Sequence, residues 1–314
     1  MTRFSQEILE KWQVRKTRRQ KAAFRRRLTD KLSAAGYPVF EERHGLTSGT
    51  VNVVVGDADR ADLLFTAHYD TCAVLPFPNF IAPRNLFVSV LYQLFLVLLL
   101  VALSICVQQM VFWITKSGEA SFFAYLLALL LFCALLLFGP ANRHTSNDNT
   151  SGVIALTEAI LSLSPEALAD RKIAFVFFDR EECGLIGSSA FRRRHKKTLR
   201  NTAVVNFDCV SDGDTLLFAA NRRFVADGAL FEKFQEALPA DPQKETVVCS
   251  SASIFYPSDQ IGFQKYAVVA ALRKSRLFGL YLSRIHTPRD TVFDETNLDL
   301  LRRFILRLSE SSGA

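Results

Sequence analysis

Ile173-Ala174-Phe175-Val176-Phe177-Phe178 runs directly into Asp179-Arg180-Glu181-Glu182-Cys183-Gly184-Leu185. A six-residue apolar run without alternation reads as a strand covered on both faces. Two adjacent carboxylates then follow where that strand ends. Neighbouring side chains point in different directions, so one acid can bind a cation while the other handles a proton. Consecutive acids leaving a buried strand are costly to desolvate unless positive charge lies between them. A solvated loop is the ordinary fate of a Glu-Glu pair; the company these two keep argues otherwise.

Working outward, short β-rich runs alternate with helical stretches. Val51–Val55, Asp62–Ala67, Ile173–Phe178, Ala203–Phe207, Thr215–Phe218 and Tyr266–Ala271 read as strands. Ser151–Leu163, Gly187–Lys197, Gly228–Leu238 and Glu295–Ser309 read as helices, with Ser151 capping the first and Lys196 and Lys197 closing the second. This alternation predicts a three-layer α/β/α domain with a mixed, mainly parallel central sheet. Ligands in such sheets collect beyond the carboxyl ends of the strands.

One segment breaks the alternation. From Leu86 to Ile114 only glutamines (93, 108, 109) and serines (89, 104) interrupt an apolar run, and Phe122 to Phe138 carries no charge. About twenty apolar residues span a bilayer core, and a core hairpin would show a polar face. Pro76, Pro78 and Pro83 precede the pair and Gly139-Pro140 follows it. The reading is a transmembrane hairpin, which returns the chain to the side it left. The chain then divides into a basic amphipathic helical region at 1–36, the hairpin at 86–138, and the α/β domain from 37–85 and 139–314.

The formal net charge of +7 is concentrated at the start: residues 1–31 hold eleven basic and three acidic side chains. Arg84 and Arg143 flank the spans on the same side, so the positive-inside tendency places both termini in the cytoplasm. Phe4, Ile8, Trp12, Phe24 and Leu28 recur at helical spacing among those charges. Contact with anionic lipid is one reading, an ordinary solvated helix the other. No finger or aromatic-interleaved basic patch supports nucleic-acid binding. The six cysteines, at 72, 106, 133, 183, 209 and 249, lack paired metal spacing and fit reduced thiols, with Cys72, Cys183 and Cys209 as small fillers.

Polar residues gather where the strand-end rule expects them. His68-Tyr69-Asp70 follows one strand, Asn147-Asp148-Asn149 precedes a helix, Glu181-Glu182 follows the next strand, Asp208 closes another, and His286 lies in a late loop. Imidazole nitrogens with carboxylate oxygens form a donor set suited to zinc. The ordered series resembles metallopeptidase family 28, the co-catalytic zinc aminopeptidases. Asp148 to Glu181 is 33 residues and Glu182 to Asp208 is 26, while the gap of 80 from His68 to Asp148 fits once the hairpin is an insertion. The resemblance covers roughly residues 50–75 and 140–300.

That resemblance implies two zinc ions and a peptide substrate. His68 and Asp208 would bind one ion, Glu182 and His286 the other, with Asp148 bridging. Asp70 would hydrogen-bond the His68 imidazole, Glu181 would be the general base, and the Asp148–Asn149 peptide would be cis. The chain departs from the family at two places. Ile285 stands where some relatives place an oxyanion-donating Tyr, leaving Tyr256 or Tyr281 as replacements. Gln260 ends a Ser258-Asp259-Gln260 motif whose third member is often His. A glutaminyl-cyclase-type acyltransferase is the alternative on this fold, and a non-catalytic receptor or scaffold ranks behind it.

Overall fold

The computed structural model describes residues 1–45 and 49–310, so the last four residues of the expected 139–314 segment lie outside the described residues. The first elements are α1 (Arg3–Lys11), α2 (Arg18–Ala34), β1 (Val39–His44), β2 (Thr50–Val55) and β3 (Leu63–His68). Two long helices follow, α3 (Leu86–Thr115) and α4 (Gly118–Phe138), then α5 (Gly152–Leu161), α6 (Pro165–Asp170), β4 (Ile173–Phe178) and α7 (Ile186–Arg194). The chain continues through β5 (Ala203–Phe207), β6 (Thr215–Ala220), α8 (Arg222–Ala226), α9 (Gly228–Ala237) and β7 (Glu245–Ser250). It ends with β8 (Lys265–Ser275), β9 (Gly279–Tyr281) and α10 (Glu295–Glu310).

The sheet runs β1-β2-β4-β3-β5-β8-β6-β7, with β9 pairing β8. Its centre is parallel: Phe65 of β3 lies opposite Phe175 of β4 on one side and Val205 of β5 on the other, and β5 pairs parallel with β8. Antiparallel pairs of β1 with β2, β2 with β4 and β6 with β8 make the sheet mixed, as expected. From β3 the chain moves to β4 on one side and then to β5 on the other, so strand order reverses at β3. A crevice opens at such a reversal, beyond the carboxyl ends of the strands.

Every residue of β2 through β6 is buried, which explains the unbroken apolar runs. Phe65, Phe175 and Val205 face a core shared with α5, α9 and α10, while Leu64, Val176 and Val204 face Phe191 of α7. The edge strands β1 and β7 escape the sequence reading because their faces are partly exposed and charge-bearing, with Glu41, Glu42 and Arg43 in one and Glu245 in the other. Ser151 does not cap α5; its hydroxyl donates to the Asn147 carbonyl, and the Asn149 side chain accepts the Gly152 N–H at 3.0 Å. Helix α7 ends at Arg194, before Lys196 and Lys197.

The amphipathic stripe of the N-terminal helices is spent on protein, not lipid. Phe4, Ile8, Phe24, Leu28 and Leu32 all join the main core, so any contact of this region with anionic lipid would fall to its basic side chains. A core-facing and a lipid-facing helix share one periodicity, and packing alone tells them apart.

Helices α3 and α4 pack against each other and are otherwise mostly exposed, with Phe87 and Ile114 each 75% exposed. Their length and composition would suffice to cross a bilayer. The two ends of the insertion are stitched together: Val74 N donates to Pro140 O at 2.8 Å and Asn142 N to Cys72 O at 3.2 Å. The entry segment also bonds to the late loop, through Asn79 N to Ile285 O and Leu75 N to His286 O.

Candidate metal centre

The loops after β3, β4 and β5 meet the turn before α5 and the late loop at the carboxyl edge of the central strands. His68 ends β3, and its Nε2 lies 3.4 Å from Asp148 Oδ1 and 3.5 Å from Asp208 Oδ1. His286 Nε2 lies 3.1 Å from the other Asp148 oxygen, Oδ2, and 3.2 Å from Glu182 Oε2. Asp148 therefore offers one oxygen to the His68–Asp208 side and one to the Glu182–His286 side. Cys72 also reaches the latter group, close enough to share an ion with Glu182 and His286. Its thiol is pushed well up by burial and by Glu182.

Local sequence fixes these positions. The Asp148–Asn149 peptide is cis. Asn149 Nδ2 donates to Phe207 O at 2.9 Å, tying the turn to the end of β5. Gly152 is required there, because a Cβ would sit 2.7 Å from the Phe207 carbonyl oxygen. Asp290 accepts the Asn147 and Asp148 N–H groups at 2.8 and 3.1 Å, and burial with the Asp148 charge pushes it up to about 8. His286 is held at a φ of 62°, in the left-handed region.

Asp70 acts differently from expectation. The nearest partner of His68 Nδ1 is the Asp70 backbone carbonyl at 3.1 Å, with the carboxylate 3.7 Å away. The carboxylate instead accepts the Glu181 and Glu182 N–H groups at 3.0 and 3.3 Å, anchoring the acid pair. A main-chain carbonyl fixes the imidazole tautomer as well as a carboxylate does. Asp179 closes the strand by accepting Lys21 Nζ at 2.5 Å and Val51 N at 3.0 Å.

Arg15 carries no sequence signal within its basic run, yet it is completely buried against this centre. Its Nε donates to Tyr69 O at 2.5 Å, and both terminal nitrogens lie 3.1 Å from Thr150 Oγ1. Its backbone N–H donates to Thr71 Oγ1 at 2.9 Å. It thus joins the loop bearing His68 and Asp70 to the turn bearing Asp148. Burial lowers its pKa to about 10, opposed by Asp70 and Asp148, so it stays charged at neutral pH.

Of the two candidate oxyanion donors, Tyr256 is buried beside the centre and donates to the Asp208 carbonyl at 3.1 Å. Tyr281 stacks on Phe80 near the hairpin root. Gln260 is structural: it receives Asn206 Nδ2 at 3.1 Å and donates to Tyr256 O at 2.7 Å. Burial pushes its neighbour Asp259 up to about 7, against the pull of His68.

The residues fit metal. Glu182 Oε1 is buried without a hydrogen-bond partner, as are both Asp259 oxygens. Burial pushes Glu181 and Glu182 well above the usual carboxylate range. Burial disfavours the His68 imidazolium, but Glu181, Asp148, Asp208 and Asp70 together raise its pKa. So many buried carboxylates around two imidazoles leave negative charge for a cation to neutralise.

A central sheet reversing at β3, with nitrogen and oxygen donors gathered at its carboxyl edge, defines an α/β domain of the zinc-exopeptidase type. Residues 138–310 match the model of peptidase family M28, and the chain belongs to that family. Membership implies a zinc-dependent hydrolase. The fold is similar to that of the LapA aminopeptidase of Legionella pneumophila (12% identity, TM-score 0.55, covering 98% of this chain and 68% of that one). Porphyromonas gingivalis glutaminyl cyclase gives 15% identity, TM-score 0.56 and coverages of 98% and 95%. A Zn-dependent exopeptidase of Parabacteroides distasonis gives 13%, 0.56, 97% and 96%. No curated protein sequence matches the chain significantly.

Proposed function

We propose that the protein is a membrane-anchored aminopeptidase whose His68, Asp148, Glu182, Asp208 and His286 hold two zinc ions. The observation that carries this reading is the division of Asp148, one oxygen facing His68 and Asp208 and the other facing His286 and Glu182. Zinc bound there would lower the pKa of a water and polarise a scissile carbonyl. Glu181 is the general base: it lies half-buried beside His68 and Glu182, its backbone is pinned by Asp70, and it belongs to neither oxygen pair of Asp148. It takes the proton of the attacking water and returns it to the leaving amine. Arg15 and Asp290 hold the loops that carry these groups.

A cavity of about 220 Å³ beside Asp70 and Glu182 is lined also by Lys16, Arg18, and Leu137 and Phe138 of α4, so space for a substrate adjoins both the acid pair and the hairpin. The exposed apolar surfaces of α3 and α4 support a bilayer-spanning hairpin, and the flanking Arg84 and Arg143 support a cytoplasmic placement of the domain.

Cyclase chemistry on the same fold is the competing reading. The full donor set, with His68 and Asp208 both in place, favours hydrolysis. The test is a panel of aminoacyl fluorophores assayed with chelator and with added zinc, beside elemental analysis and a cyclisation assay on N-terminal Gln. Two zinc ions and chelator-sensitive release are expected. One zinc with cyclisation and no release would replace peptidase by cyclase.

A further inference from the structure

Exposed apolar surface continues beyond the hairpin. Leu277, in the turn between β8 and β9, is 79% exposed, more than any other large apolar side chain described. A solitary exposed leucine is ordinary; the mounting of this one is not. Next to it, Phe278 packs edge-on against Phe80 at 5.3 Å, and Tyr281 stacks on the same ring at 5.8 Å. Phe80 in turn packs on Tyr92 of α3 at 5.5 Å. Ile81 and Leu282 exchange backbone hydrogen bonds at 3.2 and 2.8 Å. The turn is thus fastened to the root of the hairpin.

The point of attachment follows from helix geometry. Tyr92 lies six residues past the start of α3, about 9 Å along the axis, among the exposed Leu91, Leu94 and Phe95. The turn is therefore tied, through Phe80, to the first apolar turns of the hairpin. Its charges suit that position: Lys274 and Arg276 are exposed on either side of Ser275, and Arg273 lies over the Tyr281 ring at 5.8 Å. Lys274 also pairs with Glu245 at 2.8 Å. No acid interrupts residues 273–281. Aromatic rings and basic groups around an apolar tip suit the headgroup boundary of a bilayer.

We infer that the β8–β9 turn is a further membrane contact, in which Leu277 enters the headgroup boundary while Arg276 faces the phosphates of anionic lipid. This rests on the hairpin crossing the bilayer, as proposed above. Residues 282–285 pair with the hairpin entry and lead directly to His286, so the contact orients the mouth of the metal centre toward the lipid surface.

The test places a photoreactive benzoylphenylalanine at position 277 of the full-length chain in nanodiscs of phosphatidylcholine and phosphatidylglycerol. Position 94 in α3 serves as the hairpin probe. Position 196 serves as the remote probe, since the neighbouring His195 bonds Glu42 of β1, the edge strand on the far side of the sheet. Lipid adducts at 94 and 277 but not at 196 are expected. Adducts at 94 without any at 277 overturn the turn contact and leave the hairpin standing; none at 94 overturns the hairpin and this inference with it. Arg276→Ala should reduce the phosphatidylglycerol preference of the 277 adducts by about fivefold, and an unchanged preference would refute the role of Arg276.

Discussion

The metal centre and the hairpin invert the usual distribution of side chains in opposite senses. Asp70, Asp148 and Asp208 are 6% exposed or less, while Phe87 and Ile114 are each 75% exposed. Water alone would dictate the reverse. On the function proposed above, each inversion has a partner that is not protein: cations beside Asp148 and Asp208, hydrocarbon around the helices. The contrast also separates α5, whose Val153, Ile154, Leu156 and Ile160 are fully enclosed, from the equally apolar α3 and α4. Apolarity says that a segment avoids water; length and neighbours say where it goes.

The most severe way to break the polar half is Glu181→Gln. Turnover should fall by about 10²–10⁴-fold with zinc content unchanged by elemental analysis. Turnover near that of the parent would remove Glu181 from the chemistry.

On the apolar half, Leu98→Arg sets the two solvents against each other. In a bilayer an arginine near mid-span costs about 2.5–3.5 kcal/mol, read as lost insertion or flotation with vesicles. On a water-facing helix the same change costs within about 0.5 kcal/mol, so a silent substitution would break the hairpin reading.

Arg15→Met sharpens the comparison from within, by replacing a buried cation with hydrocarbon. Unmaking its bonds to Tyr69 O and Thr150 should cost about 1–3 kcal/mol by denaturant titration. Zinc affinity should fall by about 10–100-fold. A stability loss with unaltered affinity would confine Arg15 to packing.

The smallest effect concerns His195, far from both regions. Burial opposes its charge, but hydrogen bonds to Glu42 at 2.9 Å and Asp59 at 2.7 Å prevail and raise its pKa. A raised folded value means stability is fully present below the unfolded pKa of about 6.5. It is lost as pH rises through the folded pKa. His195→Gln should flatten that slope by less than about 1 kcal/mol, checked by melting across pH 5–9.

What sequence could reveal follows from what is chemically irreplaceable. Zinc donors admit few residue types, so the proposed ligands His68, Asp148, Glu182, Asp208 and His286 stand out by identity and order. The inner strands stand out because burial on both faces admits only apolar residues. Arg15 and Asp290 do not, since an arginine in a basic run or an aspartate in a loop has many ordinary uses. Their roles lie in what they touch. The N-terminal stripe leaves two readings open for a related reason: Phe4 and Ile8 would show the same spacing against lipid as against the core they join.

The stitched base of the hairpin carries a further consequence for how the chain is made. β3 is the strand around which the sheet is organised, yet both of its partners, β4 and β5, come after the hairpin in the chain. During synthesis β3 emerges with two open edges and must wait while residues 86–138 are produced. Arg15 waits with it, since its partner Thr150 lies beyond the same insertion. The sheet can close around β3 only after both long helices have been synthesised, so the insertion sets the earliest moment at which His68 can meet Asp148 and Asp208.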